Sequence, residues 1–203
     1  MASKPPDAFL SYTRFDDLHD GGAISQFRLR LESAIRAVTG QSFSIFQDVD
    51  GIGLGENWPD KLEETLDEVR FFIPILTPSY FTSEACRQEL QKFLWAEARR
   101  SRQDLVLPVY YIETEALEDS ELRASDHLAN TIHERQRHDW RDLRFDSLES
   151  GPVRRALERL ARDMAKARRR FMPAAAQTVI SSASALANYL SSPLAQVPTD
   201  ISE

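Results

Sequence analysis

The chain has 203 residues, of which 42% are hydrophobic and 28% charged, and this composition excludes a disordered or fibrous protein. Its length predicts one domain of about 150 residues with an additional segment. The net charge of -7 argues against direct binding of nucleic acid, which requires clustered Lys and Arg. The single cysteine excludes an intramolecular disulfide, and no apolar run suggests a signal peptide or a membrane span, so we expect a cytoplasmic protein.

The first 112 residues alternate strand-like and helix-like patterns, which predicts a parallel sheet covered by helices. A short strand is predicted at 7–13, a helix at 21–40 and a second strand at 43–48. Gly40 marks the end of this helix. The inward face of the helix is predicted from apolar residues spaced by three and four, which are Ile24, Phe27, Leu31 and Ile35.

A glycine-rich segment follows the second strand, with glycines at 51, 53 and 55. It lacks the third glycine of a dinucleotide fingerprint and the Lys-Ser or Lys-Thr of a P-loop, so neither of these phosphate-binding motifs is predicted. A mobile loop over 49–59 beside a site is the favoured interpretation, and a plain connector is the alternative.

Two more strands and a long helix are predicted after this loop. A helix precedes the buried strand 71–76, a turn covers 77–83, and Ser83 is the expected N-cap of the next helix. A fourth strand is predicted at 105–112, and a short edge strand at 139–140. The long helix is expected to turn Cys86, Leu90, Phe93 and Leu94 inward.

The last part of the chain changes composition. Residues 154–170 carry eight basic and two acidic side chains and are predicted to form an amphipathic helix. A solvated face is the favoured interpretation of its charge, and contact with an acidic partner or another protomer is the alternative. We expect a domain over 1–170 and, over 171–203, a linker or docking tail leading to a sensor domain outside this chain, or else a partly ordered tail.

The candidate chemical groups are few. His133 and His138 do not share a helical face, so no metal site is expected. No His base lies near Cys86 in the sequence to activate it as a nucleophile, and its place on an apolar helix face predicts a small core residue. Glu89 lies about one and a half turns after Ser83, near the carboxyl ends of the first two strands, where α/β proteins keep their ligand sites. From the pattern alone, a solvated glutamate is the favoured interpretation and a site residue is the alternative.

Four motifs, in order, resemble the successive boxes of a TIR domain. They are "DAFLSYTRFDD" at 7–17, "FSIFQDVDGIGLGENW" at 43–58, "FFIPILTPSYFTSEACRQEL" at 71–90 and "VLPVYYIE" at 106–113. The resemblance implies a flavodoxin-like α/β fold, in which helices flank a five-stranded parallel sheet. TIR domains include protein-interaction adaptors and enzymes that cleave NAD+ to nicotinamide and ADP-ribose or a cyclic isomer.

The resemblance also assigns roles to individual residues. It implies an NAD+ hydrolase, or else a cyclase, with NAD+ as substrate and neither a cofactor nor a metal. Glu89 occupies the position of the essential glutamate of the enzymes. The residues implied to line the nucleotide pocket are Tyr12, Thr13, Arg14, Phe46 and Asp48.

The chain has no predicted signal peptide or membrane span and ends in a diffuse tail, and in these features it resembles prokaryotic TIR proteins of antiphage defence. This resemblance implies activation by TIR–TIR self-association and contact with a sensor domain or partner protein. One position departs from the family pattern: Ala85 stands where many enzymatic members carry Trp, which leaves the choice between linear and cyclic product open. A non-enzymatic adaptor is the alternative function, and a receptor that binds a nucleotide without cleaving it is the third.

Overall fold

The computed structural model describes residues 6–47 and 69–170. Their centre is a five-stranded sheet in which all strands are parallel, with the order β2-β1-β3-β4-β5. This confirms the predicted α/β fold. The strands are β1 (Ala8–Ser11), β2 (Ile45–Phe46), β3 (Phe71–Leu76), β4 (Val109–Tyr110) and β5 (His138–Asp139).

Eight α-helices and one 3-10 turn are present in these two described ranges. The chain divides into two compact units between Ala165 and Lys166, and the sheet lies in the first. The predicted boundary after residue 170 coincides with the end of the described residues and stays a prediction.

The helices are α1 (Arg14–His19), α2 (Ala23–Thr39), α3 (Pro78–Thr82), α4 (Glu84–Arg99), α5 (Glu115–Glu118), α6 (Ser120–Ser125), α7 (His127–His133) and α8 (Gly151–Arg169), and the 3-10 turn is Leu143–Phe145.

The sheet order creates a switch point between β1 and β3. The chain passes from β1 to β2 on one side and then returns to place β3 on the other side of β1. In sheets of this kind the crossovers leave the strands in opposite directions at such a point, and a crevice opens at the carboxyl ends of the two strands. The residues after β1 and β3 therefore border a natural ligand site.

Helix α2 follows its prediction closely. Its four predicted inward residues are all buried, and it ends at Gly40, whose φ of 68° is readily adopted by glycine. Strand β3 is likewise buried at all six positions, as its continuous apolar run predicts for a central parallel strand.

Aromatic rings attach α4 to one face of the sheet. The Phe9 ring stacks on Phe46 at 5.6 Å and lies 5.8 Å from Phe72, and Phe72 stacks on Phe93 of α4 at 5.0 Å. Since these rings continue from one to the next, Phe9, Phe46 and Phe72 lie on the face that α4 covers. Elsewhere in the core, Phe27 of α2 packs edge-on against Trp140 at 4.9 Å.

Several predictions about local structure were wrong or too long, and strand β1, predicted at 7–13, comprises only Ala8–Ser11. Residues 77–83 contain helix α3 rather than a turn alone, because Thr77 caps it by accepting from Tyr80 N at 3.0 Å and a proline occupies its first turn. Strand β4 is shorter than predicted because Pro108, which has no N–H to donate, separates it from the bridge at Val106. Strand β2 is also shorter and comprises only Ile45 and Phe46.

The inward face of α4 differs from the prediction at one position. Leu94 is only half-buried, whereas Glu97 is buried. The Glu97 carboxylate accepts the backbone N–H groups of Leu105 and Val106 and pairs with Arg135 at 2.7 Å. These partners compensate for the desolvation of the buried carboxylate. The apolar spacing of the helix does not reveal them.

Some predicted features lie outside the described residues, namely the loop 49–59, Trp58, nearly all of the helix before β3 and the tail after 170. Among the helices that the structure describes, none is long and apolar enough to cross a membrane.

We predict that Phe93→Ala lowers the free energy of unfolding by about 3–5 kcal/mol, because it leaves a cavity beneath Phe72. Trp95→Ala is the matched control on the same helix: its side chain is 63% exposed, so we expect a change within about 0.5 kcal/mol. Chemical denaturation of both variants measures the difference, and equal losses would contradict this packing.

Candidate functional site

Glu89 is held at the carboxyl end of β1. Ser83 caps α4 by accepting Cys86 N at 3.3 Å, and Glu89 follows on the same side of the helix. Ser11, the last residue of β1, donates its hydroxyl to Glu89 Oε2 at 2.6 Å. Glu89 is only 8% exposed, so the interpretation of a solvated glutamate was wrong. The carboxylate lies beside the switch point of the sheet.

Tyr80 supports this arrangement from α3. Its hydroxyl lies 3.3 Å from Ser11 Oγ and donates to the Cys86 carbonyl at 3.3 Å. Burial raises the pKa of Tyr80 well above its usual value, with the Cys86 thiol as a further cause, so the phenol stays protonated. Helices α3 and α4 are thereby tied to the end of β1.

Cys86 is a core residue, as predicted. It is buried, and burial raises the pKa of its thiol to about 11, against the opposing hydrogen bond with Ser83. A thiol with this pKa is protonated at neutral pH and is a poor nucleophile. The structure therefore gives Cys86 a packing role beneath Glu89.

Asp16 joins the ends of β1 and β3. One of its carboxylate oxygens, Oδ2, accepts from Thr13 Oγ1 and from Thr77 Oγ1, each at 2.6 Å. Thr13 also caps α1 by accepting Asp16 N at 3.3 Å. Thr13, one of the predicted pocket residues, is thus fixed at the switch point by a buried carboxylate.

Tyr12 points into a different network. Residues 11 and 12 project to opposite faces of a strand, so Tyr12 turns away from Glu89 and toward α2. Its hydroxyl accepts from Gln47 Nε2 at 3.0 Å, and the same amide nitrogen donates to Ser25 Oγ at 2.9 Å. Gln47 directly follows β2, so this network links the ends of β1 and β2.

The other three predicted pocket residues have different positions. Arg14 is exposed at the first position of α1. Phe46 lies in β2 with its ring on Phe9, on the face of the sheet that also carries Ser11 and Glu89. Asp48 lies outside the described residues. The structure thus brings Thr13 and Glu89 to the β1–β3 end, and it places Tyr12 across β1.

Sequence reasoning missed four residues of this edge. The spacing Thr13-x-x-Asp16 is a capping pattern and could have indicated that Asp16 bonds the loop after β1. The other three residues are Ser11, Gln47 and Thr77, whose contacts with partners distant in sequence carry no local signal.

The loop after α1 is fastened to the end of β4. Tyr111 donates to Asp20 Oδ2 at 2.8 Å, and Arg144 bonds the same oxygen at 2.9 Å. Burial is the main cause that raises the pKa of Tyr111, and the hydrogen bond to Asp20 adds to it. The carboxyl edge of the sheet is therefore crosslinked from β2 to β4 by side-chain hydrogen bonds.

A separate groove of about 710 Å³ lies between α2 and α8, with Arg30, Arg154 and Arg162 among its lining residues. Neither α4 nor a strand end contributes to it. Its size alone does not make it a reaction site, and the buried carboxylate at the switch point is the stronger candidate.

Comparison with known families identifies the fold family. A family model described as TIR domain matches residues 9–161. The chain belongs to the TIR domain family. No curated protein matches this TIR domain.

Solved structures similar to this TIR domain are distant. The TIR domains of the activated Roq1 resistosome, which recognises the effector XopQ, are 21% identical, with a TM-score of 0.41 and coverage of 77% of this chain and 84% of that one. The TIR domain of the Toll-related receptor TRR-2 from Hydra magnipapillata is 20% identical, with a TM-score of 0.49 and coverage of 77% and 98%. A diflavin flavoprotein from Nostoc sp. is 10% identical, with a TM-score of 0.42 and coverage of 81% and 94%. The family assignment rests on the family match, not on these likenesses.

We predict that the Cys86 thiol in the folded protein resists modification by a disulfide reagent at pH 8. A pKa of about 11 in place of 9 leaves about 100-fold less thiolate, and burial slows access further. Because the folded-state pKa is the higher one, the associated stability is complete below about pH 9 and is lost as the pH rises toward about 11. Absorbance of the released reagent follows the reaction, with the protein unfolded in guanidinium as control. Equal rates in the two states would contradict the burial of this thiol.

Proposed function

We propose that this TIR domain is an NAD+ hydrolase whose catalytic residue is Glu89. The observation that carries the proposal is the burial of the Glu89 carboxylate at the β1–β3 switch point, bonded to Ser11 at 2.6 Å. This is the position in which α/β sheets bind nucleotides. The resemblance of the Ser-x-x-Cys-x-x-Glu motif to the enzymatic members of the family supports the same residue.

The chemistry suits a carboxylate. In NAD+ the bond between the nicotinamide nitrogen and the ribose C1′ breaks, and its electron pair leaves with neutral nicotinamide. Positive charge develops on the ribose, where a fixed carboxylate stabilises the transition state more than the substrate. Water then adds to C1′ and loses a proton to give ADP-ribose, or an internal nucleophile of the nucleotide adds to give a cyclic isomer.

The groups beside Glu89 do not offer a nucleophilic thiol, which leaves the Glu89 carboxylate as the proposed partner of the substrate. Burial is the main cause that raises the pKa values of Cys86 and Tyr80, so neither group carries a negative charge at neutral pH. Thr13 and Arg14 follow β1 at the same end, where a hydroxyl and a guanidinium can meet ribose or phosphate oxygens. The resemblance adds Tyr12, Phe46 and Asp48 to the proposed pocket, and Asp48 lies outside the described residues.

Self-association of TIR domains is part of the proposal. On α1, Phe15 is 67% exposed and Leu18 is 80% exposed, and their spacing of three puts them on one face of the helix. Exposed neighbouring apolar side chains favour a protein contact. The same observation favours the second candidate function, a non-enzymatic adaptor that recruits other TIR domains. The proposed setting is the cytoplasm of a prokaryote during antiphage defence, and it rests on the resemblance.

We predict that Glu89→Gln lowers nicotinamide release by at least about 100-fold, because it keeps an acceptor for Ser11 but removes the charge that faces the ribose. Glu84→Gln, at an exposed position of the same helix, is the matched control and should retain wild-type release. Chromatography with mass spectrometry measures NAD+ loss and identifies the product, with the proteins in solution and crowded on beads.

Equal turnover by the wild type and Glu89→Gln would contradict the catalytic role of Glu89. No cleavage by the wild type under either condition would favour the adaptor. In that case calorimetric titration with ADP-ribose would separate an adaptor, which gives no binding heat, from a receptor that binds a nucleotide without cleaving it.

A further inference from the structure

Four carboxyl side chains are buried in the part of the chain that the structure describes, and they fall into two groups. Asp7 and Glu97 each pair with an arginine, at 3.7 and 2.7 Å. Both lie at the amino end of the sheet, since Asp7 precedes β1 and Glu97 bonds the chain that leads into β4. The other two, Asp16 and Glu89, lie at the carboxyl edge, where the proposed reaction takes place.

Asp16 is bonded differently from the arginine-paired carboxylates. It is 3% exposed, and its Oδ2 accepts the hydroxyls of Thr13 and Thr77, each at 2.6 Å. Each hydroxyl oxygen in turn accepts a backbone N–H, that of Asp16 for Thr13 and that of Tyr80 for Thr77. The hydrogens of both hydroxyls are therefore directed at the carboxylate, and Oδ2 carries no proton of its own.

The charge of Asp16 has neutral partners only. Among residues 6–47 and 69–170, no Lys, Arg or His forms an ion pair with it. Buried charges in proteins are usually paired, and an exception at a ligand edge points to a functional group. A cation that arrives with a ligand would supply the missing countercharge.

A short series of contacts connects Asp16 to Glu89. Thr77, which bonds Asp16, accepts from Tyr80 N at 3.0 Å. The hydroxyl of Tyr80 lies 3.3 Å from Ser11 Oγ, which donates to Glu89. The two carboxyl groups therefore belong to one connected edge of the sheet, on either end of a single tyrosine.

The Cys86 thiol lies within electrostatic reach of both carboxyl groups. Burial is the main cause that raises its pKa, and interactions with Glu89 and Asp16 are among the smaller causes. A negative potential from Asp16 therefore extends to the residue that packs beneath Glu89. In surroundings with little water, such a potential acts on a bound ligand with weak screening.

We infer that Asp16 is a specificity-determining residue that makes the site select the cationic, oxidised form of the dinucleotide. In NAD+ the nicotinamide ring carries a positive charge, whereas in NADH the ring is neutral, and the adenosine and diphosphate groups are the same. A buried carboxylate attracts the charged ring and gives the neutral ring no such attraction. The inference rests on the proposed function, since it takes the dinucleotide as the ligand of the switch point.

The test compares the affinities of NAD+ and NADH in the full chain. Asp16→Asn keeps the size of the side chain and an oxygen that can accept both threonine hydroxyls, but it removes the charge. Glu84→Gln is the matched control, because it removes a charge from the exposed first position of α4, where solvent screens it. Both changes are made in the Glu89→Gln background, where slow cleavage permits calorimetric titration with NAD+.

We expect the Glu89→Gln protein to bind NAD+ about tenfold more tightly than NADH. Adding Asp16→Asn should weaken NAD+ about tenfold and leave NADH unchanged, so that the preference disappears. Adding Glu84→Gln should keep the preference. A residue with only a structural role would weaken both nucleotides equally, because a displaced loop after β1 affects the parts that the two ligands share.

Kinetics of the chain that retains Glu89 give a second measurement. Asp16→Asn should raise KM for NAD+ about tenfold with little change in kcat, since the positive charge of the substrate persists in the transition state. Equal melting temperatures of Asp16→Asn and its parent establish that the fold is kept. If Asp16→Asn does not fold, the Glu89→Gln protein decides: a retained preference for NAD+ supports the inference, and equal affinities overturn it.

The outcomes separate this inference from the proposed function. Equal weakening of NAD+ and NADH by Asp16→Asn, or an unchanged preference, would overturn the role of Asp16 while leaving NAD+ cleavage intact. A wild type that does not cleave NAD+, but prefers it over NADH only while Asp16 is present, would overturn the proposed function and support the selectivity. Absence of binding of either nucleotide would overturn the inference.

Discussion

The hydrogen bond from Ser11 to Glu89 is the interaction on which the candidate site depends. It joins residues 78 positions apart and brings a helix carboxylate against the last residue of the central strand β1. Without it, the buried carboxyl group of Glu89 would have one hydrogen-bond donor fewer, which is costly in a low-dielectric setting. The aromatic stack from Phe9 through Phe72 to Phe93 places α4 at the distance that this short bond requires.

Polar side chains converge on the carboxyl edge from several helices. Asp16 of α1 binds hydroxyl groups at the ends of β1 and β3, and Arg28 of α2 reaches the end of β2 through Gln47. Each of these groups uses its hydrogen bonds to fix a neighbour, so the edge is preorganised before any ligand arrives. Preorganised polar groups are the means by which proteins stabilise developing charge without reorganisation at the moment of reaction.

The sequence predicted the fold better than the site. The spacing of Ile24, Phe27, Leu31 and Ile35 determines α2, and the apolar run 71–76 determines β3, because both patterns are local. The short strands β2 and β4 were overestimated, since the length of a strand depends on the partners it finds. Helical periodicity puts Glu89 beside Cys86 and Phe93, but its hydrogen-bond partner could not be predicted, because Ser11 is remote in the chain. For the same reason the contacts of Gln47 with Tyr12 and of Thr77 with Asp16 carried no local signal.

The most direct measurement is a crystal structure of the full chain with a carbocyclic NAD+ analogue that cannot be cleaved. We expect the hydroxyls of the nicotinamide ribose within about 2.6–3.2 Å of the Glu89 carboxylate, at the carboxyl end of β1. An analogue bound elsewhere, for example in the groove between α2 and α8, would contradict the assignment of Glu89 and of the switch point as the site of reaction.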